Sequence, residues 1–296
     1  MVTVERILCP VDFSEFSARA YDYALSLARH YRSRLFLQHV LDFSIPSYAY
    51  YVDASYITDL FERVRHDGRL QLEEFAKRPS GCGAPPERVF CEGAPAKSIL
   101  AFAQAKKANL IVMGSHGLSG DSGTTPGSVA ERVLRHAPCS VLVVRQPKHD
   151  FANPGTAEDP VHISRLLVCS DFSTHSMTAL DHAISLASEY QAELTVLNVL
   201  EGIGVTSSAN SENVIGPIMK RLEESVSPYS RGRWTIRCVV RTGKPYKEII
   251  QQAEESKSDA VIMGVRGRNA LDLAIFGSTT HRVVELGPCP VLAVQV

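Results

Sequence analysis

The sequence predicts an α/β protein made of two tandem, doubly wound, parallel five-stranded sheets of Rossmann-like type. The first observation behind that class is an internal repeat. Ile7-Leu8-Cys9-Pro10-Val11-Asp12-Phe13-Ser14 returns as Leu166-Leu167-Val168-Cys169-Ser170-Asp171-Phe172-Ser173, an offset of 159 residues. Leu35 to Leu41 returns at the same offset as Leu194 to Leu200. Gly93-Ala94-Pro95 returns as Gly243-Lys244-Pro245 at an offset of 150, so about nine extra residues fall between Leu41 and Arg88, a stretch holding Tyr48, Tyr50, Tyr51 and Tyr56. The second observation is a set of apolar runs at 34–41, 87–91, 109–113 and 140–145 that lack alternation, as strands covered by helices on both faces do. The third is the helical rhythm between them. Ala20, Tyr23, Ala24, Leu27, Ala28 and Tyr31 recur at i, i+3, i+4, i+7 behind Ser14, an expected N-cap. Ala179, His182, Ala183, Leu186, Ala187 and Tyr190 repeat the face, which places His182 as a packed core residue in the slot of Tyr23.

Pro147 to Pro160 is rich in Pro, Gly, Asn and Asp and reads as a linker. The expected division is a first domain over 1–146, a linker over 147–163 and a second domain over 164–296. The chain of 296 residues has 45% hydrophobic and 21% charged residues, enough for two cores, and a formal charge of −1. A global field that concentrates nucleic acid is therefore absent, and no nucleic-acid partner is expected. No apolar stretch approaches the ~18 residues of a membrane span, so no membrane partner is expected either. Seven cysteines without a C-x-x-C pair argue against a disulfide framework or zinc knuckle and favour a reducing cytoplasm. Cys9, His39, Cys91 and His116 match no zinc spacing, and no metal ligand is assigned.

In a doubly wound sheet, ligands collect at the carboxyl ends of the strands. There the chain runs Gly114-Ser115-His116-Gly117, nine residues, then Gly127-Ser128 at a helix start; Gly264-Val265-Arg266-Gly267, nine residues and Gly277-Ser278 repeat it. Glycine lets the backbone approach a ligand, and a helix N-terminus offers free N–H groups and the positive end of its dipole to a phosphate. The competing reading is a strand-to-helix turn that needs Gly and Ser for its own geometry. No G-x-x-x-x-G-K-[ST] is present, and G-x-G-x-x-G does not follow the first strand of either half.

Asp12 and Asp171 at a strand end, the doubled G-x2-G-x9-G-S element and the final strands after Pro138-Cys139 and Pro288-Cys289 resemble the universal stress protein family over nearly the whole chain. The resemblance implies a tandem member with a fold like that of adenine nucleotide alpha hydrolases. It also implies ATP, with or without Mg, as the ligand. Carried over, the first site uses Asp12 and Val40 for adenine, Gly114 near the ribose, and Gly117, Gly127, Ser128 and Val129 for phosphates; the second uses Asp171, Val199, Gly264, Gly267, Gly277, Ser278 and Thr279. A carboxylate accepting from the adenine amine is sensible chemistry, and an Asx turn is the alternative role for either Asp. The first loop, Leu118 to Pro126, is polar, whereas Arg268 to Phe276 is partly apolar, so the second site is expected to be better preformed. No residue is assigned a catalytic role, since no base stands near the phosphate end; His116 and Arg266 read as loop packing or phosphate contacts. The expected function is an ATP-binding stress-response or regulatory protein with an unidentified protein partner, the alternatives being a weak ATPase and a scaffold without nucleotide. Family members commonly pair through their last strands, so Val141 to Val144 and Val291 to Val294 are expected to form an intramolecular pseudo-dimer, with a homodimer as a further possibility.

Overall fold

A computed structural model describes residues 4–42, 54–77, 85–117, 127–145, 151–152, 161–201, 208–229, 234–265 and 277–296. In the first half, β1 (Arg6–Val11), β2 (Arg34–Leu41), β3 (Glu87–Glu92), β4 (Leu110–Gly114) and β5 (Ser140–Val144) alternate with α1 (Glu15–Tyr31), α2 (Ala54–Ala76), α3 (Pro95–Ala105) and α4 (Ser128–His136). The second half repeats the order with β6 (Arg165–Cys169), α5 (Thr174–Tyr190), β7 (Glu193–Leu200), α6 (Ser208–Val226), β8 (Ile236–Thr242), α7 (Pro245–Glu255), β9 (Ala260–Gly264), α8 (Ser278–Leu286) and β10 (Val291–Val294).

Each half is a parallel five-stranded sheet, and the two join edge to edge into one ten-stranded sheet of order β3-β2-β1-β4-β5-β10-β9-β6-β7-β8. The junction is antiparallel, with Leu142 opposite Leu292, Val141 opposite Ala293 and Val143 opposite Val291. The terminal strands thus pair within the chain as expected. β5 and β10 are apolar on both faces because each face is roofed: Leu142 and Val144 join the core under α1, α2, α5 and α6, while Val141, Val143 and Val291 join the core under α3, α4, α7 and α8. Both cores run across the junction without a break.

Local chemistry fixes the helix starts. Ser14 and Ser173 cap α1 and α5, each side chain accepting from the backbone N–H three residues on. Gly93 and Gly243 adopt φ of 130° and 149°, which a side chain disfavours, and hand the chain to Pro95 and Pro245 in the first turns of α3 and α7. The repeated Gly-x-Pro is therefore a strand-to-helix device. α2 spans 23 residues and α6 spans 19, and Leu72 and Leu222 are both buried at the 150 offset; part of the insertion thus lengthens the start of α2. Tyr48, Tyr50 and Tyr51 lie outside the described residues, as does the side chain of Tyr56.

Two expectations change. The linker is not a plain spacer: Phe151, Ala152, Val161 and Ile163 are buried in the core, Ala152 bridges Val161, and the Phe151 ring meets Tyr23 edge-on at 4.7 Å. Composition concealed this because its few apolar residues sit at the two ends. His182 is not core either. Tyr23 is fully buried against Phe151, whereas the shorter His182 is half-buried and lines a cavity of about 600 Å³ between α1 and α5, its Nδ1 donating to Thr178 O at 2.9 Å.

Phe151→Ala is expected to cost about 3–5 kcal/mol, the usual range for emptying a buried aromatic site. Urea unfolding monitored by circular dichroism checks this, and a cost below about 1 kcal/mol would mean the segment does not pin the halves.

Candidate functional site

The β1-to-α1 turn is built around Asp12. Its Oδ1 accepts from Ser14 N at 3.1 Å and from Ser14 Oγ at 2.6 Å, while Ser14 Oγ accepts from Ser17 N at 3.2 Å. Asp171 repeats the arrangement, accepting from Ser173 N at 3.0 Å. One carboxylate oxygen of each Asp therefore serves an Asx turn that feeds the helix cap. Between Asp and Ser, Phe13 and Phe172 take φ of 68° and 61°, a left-handed conformation that a bulky residue rarely adopts. A side chain from the neighbouring strand braces each turn: His39 Nδ1 donates to Val11 O at 2.8 Å, and Asn198 Nδ2 donates to Ser170 O at 2.7 Å.

The glycine element closes on the same turn. A Cβ on Gly117 would overlap Asp12 Oδ2, so the second carboxylate oxygen lies against the loop. A Cβ on Gly114 would meet the Phe16 backbone carbon at 2.8 Å, and one on Gly264 would meet that of His175 at 2.7 Å. These two glycines are required by the close approach of α1 and α5, a packing reason that the ligand-centred reading missed. Gly127 and Gly277 are the N-caps of α4 and α8, without side-chain caps; Gly127 N donates to Ser115 O at 2.9 Å and Gly277 N to Val265 O at 3.3 Å. The first amides of both helices are left without intrahelical acceptors, as at any α-helix start.

In the second half these parts surround one cavity of about 530 Å³ at the carboxyl ends of β6, β7 and β9, lined by Asp171, Val199, Gly264, Gly277, Ser278 and Thr279. Gly267 and Arg266 lie outside the described residues, as do the loops 118–126 and 266–276 on which the expected difference in preforming rested. Sequence reasoning missed Cys169, Ser170, Phe172 and Asn198 on the cavity wall; Asn198 stood in view as the residue before Val199, at the repeat position of His39. No Lys or Arg is among the described residues of that wall, so an anion there relies on N–H groups and the helix end. The Arg221 guanidinium lies 4.1 Å over the Phe172 ring nearby.

In the first half, Asp12 and Gly117 meet directly, Val40 stands one residue before the end of β2, and Ser128 and Val129 open α4 beside Gly127. Here the turn is more aromatic: Phe13 stacks on His39 at 4.3 Å and meets Phe75 at 5.5 Å. His116 is buried, its Nδ1 2.9 Å from Ser115 Oγ and its ring 5.2 Å from Phe16. Among the described residues no group of three or more His, Cys, Asp or Glu is placed to hold a metal ion. Burial pushes the Cys9 and Cys169 thiols well above the ordinary cysteine range, and pushes Cys139 and Cys289 up to about 12.

The fold and site define a class: a duplicated α/β protein with a ligand-sized cavity where the parallel strands end. The universal stress protein family matches at residues 3–145 and 162–295, and the chain belongs to that family. Universal stress protein MJ0531 of Methanocaldococcus jannaschii is 34% identical over 146 residues, 49% of this chain and 85% of that one. Universal stress protein Rv2623 of Mycobacterium tuberculosis is 27% identical over 237 residues, 77% of this chain and 74% of that one. In structure, a universal stress protein from Archaeoglobus fulgidus superposes with a TM-score of 0.68 at 21% identity, covering 99% of this chain and 97% of that one, which supports the tandem fold.

Gly114→Ala is expected to destabilise more than Gly117→Ala, because rigid backbone blocks the first and a side-chain carboxylate the second; about 1–3 kcal/mol is the ordinary overpacking cost. Paired urea titrations give the order, and equal costs would count against the packing role of Gly114. Burial lowers the His39 pKa below the ordinary ~6.5, against the smaller raising effects of Val11 O and Asp12. The folded state then holds neutral imidazole, and the unfolded chain takes the proton first. The stability this contributes is present above ~6.5 and is lost as pH falls toward the depressed folded value. An NMR titration of the His39 ring checks the direction; a midpoint above ~6.5 would contradict it.

Proposed function

We propose that the second-half cavity is an adenine-nucleotide site, and that the chain is a regulatory universal stress protein whose bound nucleotide tunes its conformation or partner choice. The observation carrying this reading is convergence: Asp171, Val199, Gly264, Gly277, Ser278 and Thr279, spread over more than a hundred residues, line one cavity. The donor set suits the ligand. A carboxylate at one wall accepts from an exocyclic amine, and the start of α8 at another donates N–H groups to phosphate. ATP is the nucleotide proposed; Mg, which favours phosphate oxygens and water over an all-protein cage, would arrive with it.

The same reading treats 1–146 and 164–296 as the two domains and 147–163 as the tether whose ends the core holds. No helix among the described residues is long and apolar enough to cross a membrane, and the six described cysteines are free thiols, which suits the reducing cytoplasm proposed for the protein.

Isothermal titration with ATP and Mg is expected to show binding by the full-length protein, and Gly117→Ala, which disturbs the first-half turn, leaves the second-half cavity to be read. Ser278→Glu places a carboxylate on an exposed position in the first turn of α8, where the dipole tolerates it and phosphate does not. Added to Gly117→Ala, it is expected to leave the melting temperature of that protein unchanged and to weaken its ATP binding strongly. Binding by the Gly117→Ala protein that survives Ser278→Glu would move the phosphates elsewhere; no binding at all would sink the proposal.

A further inference from the structure

We propose that the cavity between α1 and α5 binds a small, largely apolar molecule that carries an amine. Its volume of about 600 Å³ is that of an ordinary small-molecule site. Ser140 and Ala260, the first residues of β5 and β9, stand on its wall, and it shares no described residue with the cavity at the carboxyl ends of β6, β7 and β9. The two cavities are therefore separate in place, and they differ in chemistry.

The body of the cavity is apolar. Leu142 and Leu292, opposite each other across the β5–β10 junction, both line it, as do Leu166 and Ile262 of the second-half sheet. These side chains belong to the core that runs across the junction, and such a surface gains by meeting apolar atoms in place of water. Tyr31 of α1 and Tyr190 of α5 stand on the helical side, the Tyr190 hydroxyl donating to that of Tyr31 at 3.1 Å. A molecule seated here touches both halves at once.

The charge of the wall selects the charge of the ligand. Asp181 is the acidic side chain among the described wall residues, and no Lys or Arg stands among them. Its repeat counterpart Asp22 faces Arg19 at 3.8 Å, but the place of Arg19 is taken by Thr178, so the second half keeps the carboxylate and lacks its cation. The Asp181 carboxylate makes no hydrogen bond or ion pair among the described residues. His182, one residue on, donates its Nδ1 to Thr178 O at 2.9 Å, which leaves Nε2 of the neutral ring as an acceptor. An ammonium group can donate to both residues, whereas a carboxylate of the same shape meets the Asp181 charge with nothing on the described wall to offset it.

The test titrates the full-length protein with phenylbutylamine, phenylbutanol and phenylbutyrate, probes of one shape and different charge, and follows the His182 ring signals by NMR. The amine is expected to move those signals and to bind about threefold or more tighter than the alcohol, the scale suited to an exposed carboxylate, with phenylbutyrate weakest. Asp181→Asn is expected to remove the advantage of the amine over the alcohol at an unchanged melting temperature. Ser185→Trp, which adds bulk to the α5 wall, is expected to abolish binding of all the probes; melting curves report its fold, and the exposed Asp181→Asn variant stays readable if the bulkier one does not fold. Amine binding that persists in folded Ser185→Trp protein, or no amine binding at about 5 mM, the weak end for so small a molecule, would overturn the site. Phenylbutyrate binding as tightly as the amine, or an amine advantage unchanged by Asp181→Asn, would overturn the ligand class.

Discussion

The antiparallel pairing of β5 with β10 is the constraint on which the molecule depends. Each half ends in a strand that is apolar on both faces, and such a strand left at a sheet edge exposes unpaired backbone groups beside hydrophobic side chains. Joining the two edges satisfies both and makes one sheet of two. The apolar layers above and below then continue across the junction, with Leu142 and Val144 on one side and Val141, Val143 and Val291 on the other. Phe151 and Ile163, at the ends of the tether, are sealed into the same layer. The helices meet there too: His30 Nε2 lies 3.3 Å from Glu189 Oε1, and the Tyr190 hydroxyl donates to that of Tyr31 at 3.1 Å.

That rigid sheet carries two strained turns. Phe13 and Phe172 hold positive φ in an identical place, and such a conformation persists only where its surroundings over-determine it. Here they do, through the aspartate, the serine cap, the brace from β2 or β7 and the glycine at the end of β4 or β9. The result is a carboxylate fixed beside a cavity at the strand ends, opposite a helix start. The near-zero net charge goes with a cavity wall that carries no Lys or Arg among its described residues, where the start of α8 is the group that could face an anion.

Much of this was legible in the sequence. Two offsets exposed the duplication; unalternating apolar runs located β2 to β5 within about a residue; and Ser14 marked the start of α1 because the capping chemistry is local. The glycine motif was found, but its physical cause was only half read. Gly117 yields to Asp12, whereas Gly114 and Gly264 yield to the helix backbones of α1 and α5, contacts between segments far apart in the chain. His182 was misjudged, and the burial of Phe151 went unanticipated, for a similar reason. A single aromatic in a Pro- and Gly-rich stretch has no period, and His182 lines a cavity that only the two assembled halves enclose. Asn198 needed hydrogen-bond geometry, since only the bond to Ser170 O reveals that it braces the turn.

The most direct test of the shared sheet follows the chain's single tryptophan, Trp234, which packs on the second-half side of the common core. Leu142→Ala removes buried volume from β5 in the first half, a change that ordinarily costs about 2–5 kcal/mol. If the halves form one cooperative unit, Trp234 fluorescence in urea will shift its midpoint by the full cost and will coincide with the circular dichroism transition. A Trp234 midpoint unmoved by Leu142→Ala, while the first half melts early, would show two independent domains and contradict the account.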